Sequence, residues 1–297
     1  MSLSNFIKHF SIDLWKQYAF ERFFNGEKRT TKKRESDDTA ERLNLHNSLH
    51  QEHSNESIYN AEEPVNPLSN WKTIAELPSE HPAKIYVQGR RIPEVFYHEL
   101  YYTDDLRGVF KAIPRYSERV PKQAESALLI PFFDDSDSLQ FLQARVLDPG
   151  AKKRYQTFQI TDNGTKIWGL DRVNWNQRVW VFEGPIDAMM VNNGIAVAGG
   201  TLTAEIKYLT EKCKAGFVFV FDNDYKTNYE VFYHFKKSID ANIPVVFFDK
   251  YFTYKDVNEA IQDGWSRELL YLYLCQNVKQ GLTAQLALSE FKQPTKK

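Results

Sequence analysis

Residues 217–228 read FVFVFDNDYKTN. An unbroken apolar run of this kind suits a strand buried on both faces, and such strands belong to parallel sheets covered by helices. The run ends, without a glycine, on two carboxylates spaced one apart, Asp222 and Asp224. Aspartates at a strand end either close a turn by bonding their own backbone or are held there to grip a cation. The flanking sequence bears on the choice.

On both sides the same alternation continues. VWVFE (179–183) reads as a strand, and IDAMMVNN as a short helix closed by Gly194. GIAVAGG reads as a strand, TAEIKYLTEK as a helix, and NYEVFYHFKKSIDAN as a helix with Val231, Phe235 and Ile239 on its inner face. PVVFFD is a further strand and DVNEAIQDG a further helix. Apolar strands alternating with amphipathic helices predict an α/β unit with a Rossmann-like parallel sheet, whose ligand crevice lies at the carboxyl ends of the strands. That edge receives Glu183, Asp187 one turn into its helix, Asp222, Asp224 and Asp256.

Each acid has a local explanation. Asp187 complements the positive end of its helix, Asp256 with Glu259 forms a capping pair, and Asp222 or Asp224 closes a turn. Jointly they are harder to explain so. Carboxylates crowded at one crevice repel one another and call for a compensating cation. Hard oxygen donors suit Mg2+ or Mn2+, ions that serve phosphate chemistry.

EGPIDAMM (183–190), DND (222–224) and KDVNEAI (255–261) resemble the acidic motifs of the Toprim fold, shared by primases, topoisomerases and some nucleases. VWVFEGPIDAMMVNNGIAVAGGTL, FDNDY, FFDKYFTYKDVNEAI and KQGLTAQLALSEF resemble, in order, the DNA primases of T-even type phages. Upstream, HPAKIYVQGRRIP, LLIPFF, LQARVLDPGAKKRY and KIWGLDR extend the resemblance to roughly residues 70–295. The fold it implies is a C-terminal Toprim subdomain joined to a mixed α+β, basic N-terminal subdomain of the primase RNA polymerase core. Two features depart from the bacterial primases: no glycine follows Asp-x-Asp, and Asn258 stands where they carry a further aspartate. T-even type primases share both.

The resemblance implies Glu183, Asp187, Asp222, Asp224 and Asp256 as catalytic residues. Glu183, Asp222, Asp224 and Asp256 would hold Mg2+ or Mn2+, and Arg145, Lys153, Arg154, Lys166 and Lys255 would meet nucleotide or template phosphates. The residues alone also allow blander readings. Lys152, Lys153 and Arg154 follow a turn at Pro149–Gly150 and would equally make a solvated hairpin tip, and Lys255 would equally pair with Asp256. Gly199 and Gly200 either let backbone approach a ligand or only form a turn.

The expected organisation is an N-terminal amphipathic helix (1–24, with Phe6, Phe10, Leu14 and Tyr18 at helical spacing) and a polar, disordered linker (25–70). A basic subdomain (71–175), the Toprim domain (176–265) and a helical tail (266–297) follow. Within the first, a helix ending near Pro78, a second across HPAKIYVQGR, and a hairpin of ALLIPFF and LQFLQARVL turning on DDSDS are expected. His46, His50 and His53 fall at helical spacing in the linker, but no cysteine or firmly placed carboxylate completes a metal set. The KRTTKKR run (28–34) is either a nucleic-acid contact or a solvated linker.

At a net charge of −1, no global basic field announces a polyanion. Cys213 and Cys275 are the two cysteines, too few for a zinc ribbon, so no zinc site is expected in this chain. No membrane span is expected either, because Lys8, Asp13 and Lys16 interrupt the N-terminal apolar stretch. The implied partners are a single-stranded DNA template, ribonucleoside triphosphates, a replicative helicase and a separate zinc-ribbon subunit, in the cytoplasm, that of the host cell if the chain is phage-encoded. The expected activity is template-directed primer synthesis. A Toprim nuclease would keep the acids without needing RVLDPGAKKRY, and a non-catalytic replisome module would have no reason to keep them.

Overall fold

The computed structural model describes residues 67–198, 202–290 and 294–295, with main chain alone for 202–205. The N-terminal helix, the linker up to residue 66 with its histidines and basic run, and Gly199 and Gly200 lie outside the described residues.

The first half is built on a five-stranded antiparallel sheet: β1 (Lys72–Thr73), β2 (Tyr101–Thr103), β3 (Ala127–Phe133), β4 (Leu139–Val146) and β5 (Tyr155–Gln159), in that order. The hairpin β3–β4 turns on DDSDS. Asp134 Oδ1 accepts from the Ser136 and Ser138 amides at 2.9 and 3.0 Å, and Asp137 takes a left-handed φ of 59°. Helices α1 (Pro82–Gly89) and α2 (Leu106–Ala112) flank the sheet in sequence. Leu106, Val109 and Phe110 of α2 pack with Leu129, Leu142, Ala144 and Val146 in one buried cluster. Strand periodicity therefore sends Phe141, Gln143 and Arg145 of β4 to the opposite face. All three are buried there too.

No α-helix ends near Pro78. Trp71, Ile74 and Leu77 have helical spacing, yet the Ile74 and Ala75 amides donate to the carbonyls of Leu100 and Tyr97 at 2.7 and 2.9 Å. Glu76 accepts from the Thr73 amide and hydroxyl at 2.7 and 2.8 Å and fixes a turn instead. The second expected helix is α1, started by Pro82 and capped by His81 Nδ1, which accepts from the Ala83 amide.

The second half is a six-stranded sheet with β7 (Val179–Phe182), β8 (Gly194–Val197), β9 (Phe217–Val220) and β10 (Val245–Val246) parallel at its centre. β6 (Ile167–Trp168) and β11 (Val278–Lys279) close its edges antiparallel, giving the order β11-β10-β9-β7-β8-β6. Helices α3 (Pro185–Ala188), α4 (Leu202–Lys212), α5 (Tyr229–Asp240), α6 (Val257–Gln262), α7 (Arg267–Asn277) and α8 (Gly281–Ser289) supply the crossovers and tail. All four central strands are wholly buried, as their apolar runs require. On α5 the inward residues are Phe232, Phe235, Ser238 and Ile239, with Val231 only half-buried. Phe235 stacks on Tyr225 at 4.2 Å. Among the described residues no helix is long and apolar enough to cross a membrane.

Candidate active site at the carboxyl edge of the parallel sheet

Chain direction alone brings the acids together. β7 delivers Glu183 and, through α3, Asp187. β9 runs into Asp222 and Asp224, and the loop after β10 ends at Asp256, the N-cap of α6. Glu183 Oε1 accepts from the Asp222 amide at 3.1 Å. Asp187 Oδ1 accepts from the Asn258 amide at 3.1 Å. Lys255 Nζ pairs with Asp222 Oδ2 at 3.0 Å.

The local explanations fare differently. Asp256 is a cap, accepting from the Glu259 amide at 2.8 Å, while Glu259 Oε2 accepts from the Lys255 amide. Asp222 makes no capping bond. Asp224 Oδ1 is buried without a hydrogen-bond partner, and its other oxygen meets only Asn228 Nδ2, at 3.4 Å.

The electrostatics follow from crowding. Burial and then the Asp222 charge push Glu183 up to about 7. Its side chain still reaches solvent, which screens the energetic effect. Burial, with Asp256 and Asp222 beside it, lifts Asp187 well above the usual carboxylate range. Asp222 and Asp256 are raised as well, burial leading in both and lysine opposing. Burial works to lower Lys255, but Asp222, Asp256 and Asp224 outweigh it and raise it.

Among the described residues no three His, Cys, Asp or Glu side chains already form a metal-holding group. The donor chemistry nonetheless fits a hard divalent cation. The edge has more carboxylates than cations, and one buried carboxylate oxygen has no donor.

The basic residues divide. Arg145 is 7% exposed, and its Nε donates to the Tyr86 hydroxyl at 3.2 Å. Its guanidinium lies 4.7 Å from the Tyr155 ring, and Nη1 has no partner. Lys152, Lys153 and Arg154 are exposed on the loop between β4 and β5, and Lys166 is half-buried just before β6. Lys255 has an ion pair to one of the five acids, Asp222.

Three further residues, within stretches quoted above but not singled out there, enter the site. Arg90, at the end of α1, donates to Asn258 Oδ1 at 3.0 Å and lies within electrostatic reach of Asp256 and Asp187. Tyr155 is 42% exposed, yet its hydroxyl lies near Arg145, Tyr86, Asp187 and Arg90, and loss of water there raises the pKa of its phenol. Tyr86, one turn before Arg90, is the third. Arginine and carboxylate halves are thus interleaved, each short of counter-charge.

No family model matches the chain. In sequence it is 30% identical over 231 residues to the DNA primase of enterobacteria phage T4, covering 76% of this chain. The match spans 65% of that protein's length, just under two thirds. In structure it matches the E. coli primase catalytic core with a TM-score of 0.56 at 16% identity, over 75% of this chain and 81% of that one. The Aquifex aeolicus primase, with its zinc-binding and RNA polymerase domains, gives 0.54 at 17%, over 75% and 63%. A DnaG primase catalytic domain bound to single-stranded DNA gives 0.57 at 15%, over 75% and 79%. Both halves of the molecule thus have the architecture of the primase catalytic core, a Toprim sheet beside a mixed α+β subdomain.

Proposed function

We propose, for a chain that has the fold of the primase catalytic core and is related in sequence to a phage DNA primase, that it is a DNA primase: a template-directed RNA polymerase that starts chains on single-stranded DNA. The observation that carries this reading is the pair of uncompensated half-sites. A buried arginine lacking an anion and a cluster of carboxylates that outnumber the cations beside them share one crevice. A metal–triphosphate supplies both missing charges at once.

In the reaction the 3′ hydroxyl of one ribonucleotide attacks the α-phosphorus of the next. A new P–O bond forms as the bond to pyrophosphate breaks. Arg145, with Arg154 and Lys153 on the adjoining loop, would bind phosphate oxygens and offset charge on the departing pyrophosphate. Lys166 is a further candidate on that side. The hydroxyl proton leaves to solvent water; Glu183, whose value near 7 belongs to the metal-free site, would serve as a metal ligand. Asp222, Asp224, Asp256 and Glu183 would hold a pair of Mg2+ or Mn2+ ions, with Asp187 positioning them. When bound, such ions lower the pKa of the attacking hydroxyl and stabilise the leaving oxygens. Lys255, now on Asp222, would be released toward phosphate. A replicative helicase and a zinc-ribbon module are the proposed protein partners, in the cytoplasm of the phage's host.

The test offers single-stranded templates, ribonucleotides and Mg2+, with and without a separately expressed ribbon protein, to wild type and Asp222→Asn. Oligoribonucleotide synthesis lost by at least about 100-fold in the variant is expected. Degradation of the template would replace this reading with a nuclease.

A further inference from the structure

Two side chains four residues apart, Tyr86 on α1 and Arg90 at its C-cap, reach opposite halves of the site. Tyr86 accepts a hydrogen bond from Arg145 Nε at 3.2 Å and also meets the Arg90 guanidinium, which lies 5.6 Å from its ring centroid. Arg90 donates from Nη1 to Asn258 Oδ1 at 3.0 Å, and Asn258 Nδ2 donates back to the Arg90 carbonyl at 2.7 Å. The Asn258 amide in turn donates to Asp187 Oδ1 at 3.1 Å. A spacing of four places Tyr86 and Arg90 on one helical face.

The joint at Asn258 is closed. The residue is 1% exposed, and Gln262 Nε2 adds a second bond to Oδ1 at 2.9 Å. The chain reverses directly after Arg90, where Arg91 takes a left-handed φ of 53°, a conformation uncommon outside glycine. Asparagine suits the position chemically. Its amide can accept from the guanidinium and donate to the carbonyl of the same arginine, which a carboxylate cannot. Being neutral, it adds no charge beside Asp187 and Asp256, which already repel each other.

We propose that Tyr86, Arg90 and Asn258 are positioning residues, and that α1 is the strut fixing the distance between the phosphate-facing arginine and the metal-facing carboxylates. The inference rests on the polymerase reading above and adds to it the parts that hold its two halves in register.

The two ends of the strut predict different kinetic faults. Full-length wild type, Tyr86→Phe and Asn258→Ala are compared for ribonucleotide incorporation on a single-stranded template, ATP affinity in chelator, Mn2+ affinity and thermal midpoint. Tyr86→Phe frees the Arg145 guanidinium to wander. It should raise KM for ribonucleotide and Kd for ATP by about 3–10-fold, with kcat and Mn2+ affinity within about twofold. Asn258→Ala should lower kcat and Mn2+ affinity by about 10-fold or more, with ATP affinity within about twofold. Arg90→Gln cuts the same link from its half-buried side and should reproduce the loss of kcat and Mn2+ affinity, which covers the case of an unstable alanine variant.

Losses in every quantity that track the thermal midpoint would reduce the three residues to packing and overturn the proposal. So would variants that behave as wild type, or a wild type that binds neither ATP nor Mn2+. A wild type that makes no RNA even with the ribbon protein and helicase supplied, but shows the split in ATP and Mn2+ affinities, would refute the polymerase reading and leave the strut in place.

Discussion

Arg145 is 7% exposed, with one phenolic partner, two aromatic rings and an unpaired Nη1. Leaving a buried donor unsatisfied costs about 1–3 kcal/mol, and more when it is charged. Arg145→Met keeps most of the volume and removes that cost. It should raise the unfolding midpoint by a few degrees while weakening ATP binding at least about 10-fold. Equilibrium denaturation and titration calorimetry check the two halves separately. Glu183 gives a prediction of opposite sense. Its folded value near 7 exceeds the ordinary 4.5, so the folded state binds more protons between those values. The contribution is fully present below pH 4.5 and is lost as pH rises through about 7. In chelator the thermal midpoint should therefore fall from pH 5 to pH 8, and Mg2+ should restore it at pH 8. A midpoint that rises over that range in chelator would contradict the crowding argument. At this scale the acids were legible because each follows a recognisable strand. Tyr86 and Arg90 were not, because Arg90 meets Asn258 across 168 residues of sequence.

Among the elements, β8 is held by a steric condition. A Cβ at Gly194 would lie 2.3 Å from the Ala188 carbonyl oxygen and 2.9 Å from that of Val191. Main-chain atoms at both places cannot swing aside. Gly194→Ala should therefore destabilise by about 1–3 kcal/mol, measurable by urea denaturation, and should reduce activity only as far as folding is lost. The parallel strands could be read from sequence because a strand buried on both faces is a continuous apolar run. Residues 71–77 misled for a physical reason: the amides of Ile74 and Ala75 pair with a segment more than twenty residues downstream, and periodicity carries no record of such partners. On α5 the error was one of phase. Phe232 rather than Val231 faces in, the bulkier of two adjacent apolar residues filling the core.

For the whole molecule, the two sheets differ in how far apart their partners lie along the chain. β3, β4 and β5 are consecutive antiparallel neighbours, joined by a turn that Asp134 organises locally. The central strands β7, β8, β9 and β10 are parallel, so each pairing must wait for a helical crossover to be laid down. Loop-closure entropy makes such pairings slow. The meander should therefore form early, and the carboxyl edge, to which three separate crossovers contribute, should be completed last. Ligands of that edge would then find their site only on the far side of the folding barrier. In stopped-flow experiments Mg2+ should slow the unfolding limb several-fold while leaving the refolding limb nearly unchanged. An ion that instead hastened refolding would mean that the acids meet before the sheet around them is built. The order of strands along β11-β10-β9-β7-β8-β6 is thus also a timetable, in which catalytic competence is the final event of folding.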